Sequence, residues 1–128
     1  MQFRYSIFYV SSVPETLAFF EQAFGLTRGF LHESGDYGEL ATGDTKLAFS
    51  SLTLMHSLGK QAQTGNPAQP ICEIALETDD VAGALQRALE AGATKVEGVK
   101  EMPWGQTIAY VHDNNGILIE ICSPVAQA

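Results

Sequence analysis

The chain has 128 residues, 45% of them hydrophobic, and its seven basic and fifteen acidic residues give a formal net charge of -8. That length suits one domain able to bury roughly two-thirds of its unfolded surface without a disulfide or metal staple. The acidic balance, with no basic run, argues against nucleic acid or an anionic membrane as a partner, since both recruit positive patches. No window reaches the apolar length of a membrane span, Cys72 and Cys122 form no C-x-x-C pair, and the N-terminus opens directly into a strand, so the cytoplasm is the expected compartment.

In chain order, 3–10 alternates as a strand, with Tyr5, Ile7 and Tyr9 on one face and Ser6, Phe8 and Val10 on the other. Ser12 to Glu15 matches a capping box, with Pro14 in the first turn. Val13, Leu17, Phe20 and Phe24 then follow at helical spacing until Gly25 stops the helix. Three short strands are expected over about 26–33, 37–42 and 45–51, divided by Ser34-Gly35-Asp36 and Gly43-Asp44. Such short connections join only antiparallel neighbours. From 52 to 70 the pattern dissolves. A helical turn is compatible with Met55 to Gly59, and 61–70 reads as a linker.

The second half repeats the plan. A strand over 71–78 leads to a helix capped by Asp79 or Asp80 that carries Val81, Leu85, Ala88 and Leu89 and ends at Gly92. Strands near 94–100, 107–112 and 117–122 follow. A constant offset of about 68 carries Tyr5 onto Glu73, Val13 onto Val81 and Leu17 onto Leu85. Element order survives this shift better than residue identity, which makes the chain two β-α-β-β-β modules, 1–60 and 71–128, joined by 61–70 in a single domain.

The last strand is entered through Asn115-Gly116, a strong turn signal because both residues tolerate positive φ. Ile117, Ile119 and Ile121 share one face, and Leu118, Glu120 and Cys122 the other. Glu120 is therefore a carboxylate in mid-strand on an otherwise apolar face. It is either part of a hydrated sheet face or a site residue, and a partner placed opposite would decide between the two.

Several stretches together resemble the glyoxalase, bleomycin-resistance and extradiol-dioxygenase superfamily, the vicinal oxygen chelate proteins. They are Tyr9 to Val13 leading into Thr16 to Phe20, Ala23 to Leu26, Ile74 to Leu76 leading into Asp79 to Val81, and Val111 to Gly116 before Leu118 to Glu120. The resemblance spans nearly the whole chain. It implies an α+β fold in which the paired modules form a curled eight-stranded mixed sheet around a pocket, with helices on the convex face. It also implies a homodimer and a small-molecule ligand.

Carried over residue by residue, the superfamily's metal-ligand positions fall on Tyr5, about Ala48, Glu73 and Glu120. Ala48 cannot ligate, and two carboxylates without an imidazole define a poor zinc or iron site. No metal ligand is therefore assigned and no cofactor is expected, although a divalent metal completed by water or substrate is compatible with the two carboxylates. His32, His56 and His112 read as surface or satisfied polar residues. Glu73 and Glu120 remain the candidate acid and base groups, and Tyr5, Tyr37, Trp104 and Tyr110 the candidate ligand-binding aromatics. The expected function is small-molecule binding with a degenerate metal site. Two acidic groups and aromatic walls suit a cationic or amphipathic ligand. The alternative is a divalent-metal-dependent lyase, isomerase or dioxygenase using Glu73 and Glu120.

Overall fold

Helix α1 (Val13–Phe24) begins where its cap places it: the Ser12 hydroxyl accepts from the Glu15 N–H at 3.3 Å, and Pro14 sits in the first turn. It ends at Gly25, whose φ of 69° is left-handed backbone that a residue without Cβ adopts freely. Its buried side chains Val13, Leu17, Phe20 and Ala23 recur at helical spacing, so they form a single stripe.

The structure, a computed structural model, describes residues 1–125 and divides into two units, Met1–Gly65 and Asn66–Ala128. In the first unit β1 (Tyr5–Val10), β2 (Arg28–Leu31), β3 (Tyr37–Leu40) and β4 (Lys46–Ser51) form a sheet in the order β1-β4-β3-β2. β1 and β4 are parallel and the other pairs antiparallel. Helix α1 thus carries the chain from one sheet edge to the other, and two hairpins return it beside β1.

Packing of α1 on this sheet is aromatic. The Phe20 and Phe49 rings stand 5.2 Å apart, and both side chains are fully buried. Burying side chains of this size is worth about 1.5–3 kcal/mol each. Gly38 of β3 allows the close approach, because a Cβ there would lie 2.7 Å from the Leu17 Cδ1 atom. Where the sequence suggests only a helical turn, the chain forms helix α2 (Leu52–Ser57). Its cap is Ser51, whose hydroxyl accepts from the Leu54 N–H at 3.0 Å, and buried Met55 anchors it.

The second unit contains β5 (Glu73–Glu77), α3 (Val81–Glu90), β6 (Thr94–Glu101), β7 (Thr107–His112) and β8 (Leu118–Cys122), with strand order β5-β8-β7-β6. The connectivity matches the first unit: β5 is parallel to β8, and β6, β7 and β8 run antiparallel in succession. Asp80 caps α3 by accepting from the Gly83 N–H at 2.9 Å. Val13 and Val81 open their respective helices, and Leu17 and Leu85 are both buried, as the offset requires. All eight expected strands are present, and the described residues form two four-stranded mixed sheets and three helices in an α+β arrangement.

The turn before β8 has its own internal support. Asp113 is buried, and its Oδ1 accepts from the N–H groups of Asn115 and Ile117, each at 2.8 Å, while Gly116 takes φ 77°. Burial pushes the Asp113 carboxyl above its ordinary value, and the two backbone donors offset only part of that rise.

Candidate functional site

Strand register decides which side chains of the second unit meet. Ala75 of β5 and Tyr110 of β7 both lie opposite Glu120 of β8, so the three form one row across the sheet. Glu73 precedes Ala75 by two residues and shares its face. The alternate residues Ala109, Val111, Ile119 and Ile121 are buried on the opposite face, over which α3 packs. The row containing Glu120 therefore occupies the side turned away from α3.

On that side the Tyr110 hydroxyl lies 2.6 Å from Glu120 Oε2 and 3.1 Å from Glu73 Oε2. A hydroxyl has one hydrogen and donates to one acceptor at a time. The shorter distance marks Glu120 as its main acceptor. Glu73 can hydrogen-bond at the same moment only if its carboxyl brings a proton. The cluster thus holds more acceptors than donors, and a cationic N–H donor or an alkylammonium group would complement it.

Tyr110 is held neutral by the same contacts. The hydrogen bond to Glu120, then burial, then the bond to Glu73 push its hydroxyl well above the ordinary phenol value. It remains a proton donor throughout the physiological range. Cys122, two residues beyond Glu120, is buried; burial first and the Glu120 charge second push its thiol up, which makes it a poor nucleophile.

The first unit presents a different set at matching positions. Ile7 lies opposite Ala48 as Ala75 lies opposite Glu120, which fixes Ala48 as the structural counterpart of Glu120. Glu39 also lies opposite Ala48, where the second unit has Tyr110 opposite Glu120. The hydroxyl-to-carboxylate bond of this unit runs along one strand, from Tyr37 to Glu39 Oε2 at 2.7 Å. Burial, followed by Glu39 and by Tyr5 nearby, pushes the Tyr37 hydroxyl up. Tyr5 itself is 49% exposed.

The six sequence candidates thus fall into separate places. Glu73, Tyr110 and Glu120 come together, and Tyr37 lies near Tyr5 in the first unit. Trp104 occupies the exposed turn between β6 and β7, where its Nε1 donates to Gln106 Oε1 at 2.9 Å. Gln106 in turn donates to the Ser123 carbonyl, so the indole is tied to its own turn.

Two of the three histidines, His32 and His56, are engaged locally. Nδ1 of His32 accepts from the Ser34 N–H, and Nε2 of His56 lies 3.0 Å from the Ala62 carbonyl. Among the described residues no group of three or more His, Cys, Asp or Glu side chains could hold a metal ion. Ala48 has no donor to offer. This donor set does not fit a protein-defined zinc or iron centre.

Sequence reasoning singles out Tyr110 as an aromatic and misses its role as a bridge between two carboxylates, because that role depends on cross-strand register. It misses Glu39 altogether. The Tyr37-x-Glu39 spacing, which puts both side chains on one face of a strand, was the available signal.

Comparison with known proteins agrees with this architecture. The profile of the Glyoxalase/Bleomycin resistance protein/Dioxygenase superfamily matches residues 3–121. A glyoxalase/bleomycin resistance protein/dioxygenase family enzyme from Burkholderia phytofirmans PsJN superposes with a TM-score of 0.82 at 19% identity, covering 98% of this chain and 100% of that one. A glyoxalase-related enzyme from Fulvimarina pelagi gives 0.80 at 18% identity, covering 97% and 88%. A glyoxalase/bleomycin resistance protein/dioxygenase from Nocardioides gives 0.77 at 14% identity, covering 100% and 86%. At such identities the likeness is one of fold. None of the curated proteins compared with the chain matches it.

Proposed function

We propose, from the premise that this chain belongs to the Glyoxalase/Bleomycin resistance protein/Dioxygenase superfamily, that it is a small-molecule-binding member with a degenerate metal site and a cationic or amphipathic ligand. The observation that carries this reading is the Tyr110 hydroxyl between Glu73 and Glu120. Two carboxylates around one proton donor are complementary to a positive group and repel an anion. Glu120 would supply the principal counter-charge and Glu73 the second. Tyr110 would hold the carboxylates in place, and Trp104 of the same unit would offer aromatic surface to the ligand's apolar part.

Superfamily members often use divalent metals, and a metal-dependent lyase, isomerase or dioxygenase built on Glu73 and Glu120 is the alternative. The donor set argues against it, since only two carboxylates converge and both already contact Tyr110. We further propose a two-fold homodimer. Val96 and Val99 of β6 leave apolar surface exposed, and a stable pairing would bury more than about 1,000 Å². Sedimentation should then give about twice the 13.8 kDa chain mass, and a single-chain mass at high concentration would refute the pairing.

Thermal unfolding with matched probes tests the ligand reading. Benzyltrimethylammonium should raise the Tm of the wild type and phenylacetate should not, and Glu120→Gln should lessen that rise. Equal stabilisation by the anion would overturn the reading. Stabilisation by Mg²⁺ or Mn²⁺ that disappears in Glu73→Gln and Glu120→Gln would replace it with the metal-dependent alternative.

A further inference from the structure

The first unit carries a half-buried carboxylate that forms no ion pair among the described residues. Glu39 lies in mid-strand on β3, and its recorded partner is the Tyr37 hydroxyl. Among the described residues no Lys, Arg or His nitrogen comes within 4.0 Å of it; the ion pairs there join Arg28 to Glu21 and Lys100 to Glu97. Lys46, on the same face, lies opposite Tyr5, while Glu39 lies opposite Ala48. His32 follows the end of β2, where its Nδ1 accepts from Ser34. A carboxylate without a cationic side chain beside it can take its counter-charge from a ligand.

The surroundings specify what could arrive. Phe30 of β2 lies directly opposite Glu39 and is 46% exposed. Its ring stands 6.4 Å from that of Tyr37, tilted by 50°. Tyr5 of β1 lies on the same sheet face as Glu39, by register through Lys46 and Ala48 of β4, and is 49% exposed. Glu39 is therefore framed by exposed Phe30, by Tyr37 and, beyond it, by Tyr5. Aromatic faces attract cations through their quadrupoles, and a carboxylate among several rings is a setting that suits an alkylated ammonium. This unit already places an ammonium over a ring: Lys60 Nζ lies 5.9 Å from the Tyr9 centroid.

We infer that Glu39, with Phe30, Tyr37 and Tyr5, forms a second site, on the first unit, that binds an alkylammonium group by charge and ring contact. Glu39 supplies the counter-charge. Phe30 and the two tyrosines cover the methyl groups, which cannot hydrogen-bond. The Tyr37 hydroxyl fixes the carboxylate and leaves Glu39 Oε1 for the ligand. The site draws on no residue of the Glu73–Tyr110–Glu120 cluster, and it would survive the failure of the reading given to that cluster.

Amide-resolved NMR titration of the wild type, Glu39→Gln and Glu120→Gln with choline, and with its neutral isostere 3,3-dimethylbutan-1-ol, tests the inference. Choline should shift the amides of Phe30, Tyr37 and Glu39 with a millimolar Kd, and the neutral alcohol should bind there at least about tenfold more weakly. Glu39→Gln should abolish this response while the amides of the second unit keep their positions, which shows that the variant is folded. Glu120→Gln should leave the response intact. Equal shifts from the alcohol, an unchanged choline response in Glu39→Gln, or no response at these amides up to about 50 mM choline would each overturn the site.

Discussion

The two units share a backbone plan and differ in where they keep their polar groups. At three matched positions the first unit has Tyr5, Ala48 and Glu39, and the second has Glu73, Glu120 and Tyr110. Tyrosine and carboxylate have in effect exchanged strands, and one carboxylate has become alanine. The helix-packed faces keep their apolar character, Leu17 and Phe49 in one unit and Leu85 and Ile119 in the other. A buried face is constrained by volume and dryness, whereas the opposite face leaves room for polar groups. The comparison teaches that the repeat is a repeat of packing, and that chemistry is distributed unequally over it.

Core truncations should have the largest effects and should rank the two units. Phe20 is fully buried among Phe19, Phe24 and Phe49, and Phe20→Ala should cost about 3–5 kcal/mol. Leu85 keeps 8% exposure and has no recorded ring partner, and Leu85→Ala should cost about 2–5 kcal/mol, toward the lower end. Denaturant unfolding of both variants checks the ranking. A smaller loss for Phe20→Ala would break the claim that the aromatic stripe is the tighter core.

Asp113 tests a feature that the second unit uses to enter β8. Asp113→Ala leaves the Asn115 and Ile117 N–H groups without their acceptor and should cost about 1–3 kcal/mol. Its pH dependence has a definite sign. Because the folded-state value is raised, the folded protein binds this proton more tightly than the unfolded chain. The group's contribution is fully present below the ordinary carboxylate value of about 3.9 and is lost as pH rises through the raised value. Asp113→Asn cannot ionise there, so wild-type stability relative to this variant should fall over that window. A constant difference in unfolding free energy across it would contradict the assignment.

The tyrosine hydroxyls sharpen the contrast between the units at smaller amplitude. Tyr110→Phe removes the group between two carboxylates and Tyr37→Phe removes a donor to one. Each should cost about 0.5–1.5 kcal/mol, with Tyr110→Phe the larger. Both hydroxyls ionise above the ordinary phenol value, so each substitution should delete a late component from the ultraviolet phenolate titration. Late components that persist in both variants would contradict the two pairings.

Much of the fold was legible because local rules and hydrophobic period agreed. Ser12, Pro14 and Gly25 bound α1 as caps and stops, and the alternation from Ile117 to Cys122 gave the correct face to Glu120. The 61–70 stretch is free of helix and strand, as its composition suggests. Helix α2 was hidden because its cap, Ser51, is also the last residue of β4.

The candidate site was legible only in part. Glu73 and Glu120 could be assigned to one face by alternation along their own strands. That Glu73 joins Tyr110 and Glu120 depends on the parallel pairing of β5 with β8, a long-range register that no local pattern encodes. The burial of Asp113 behind Asn115-Gly116 was equally invisible, since the turn signal accounts for the glycine without the carboxylate.

The central claim is that the second unit concentrates its charge-binding chemistry in the Glu73–Tyr110–Glu120 cluster. The most direct measurement is isothermal calorimetry with benzyltrimethylammonium on the wild type, Glu120→Gln and Tyr110→Phe, at low ionic strength. The account predicts saturable binding that weakens at least about tenfold, or roughly 1.4 kcal/mol, in Glu120→Gln and less in Tyr110→Phe. Unchanged affinity in Glu120→Gln would contradict it.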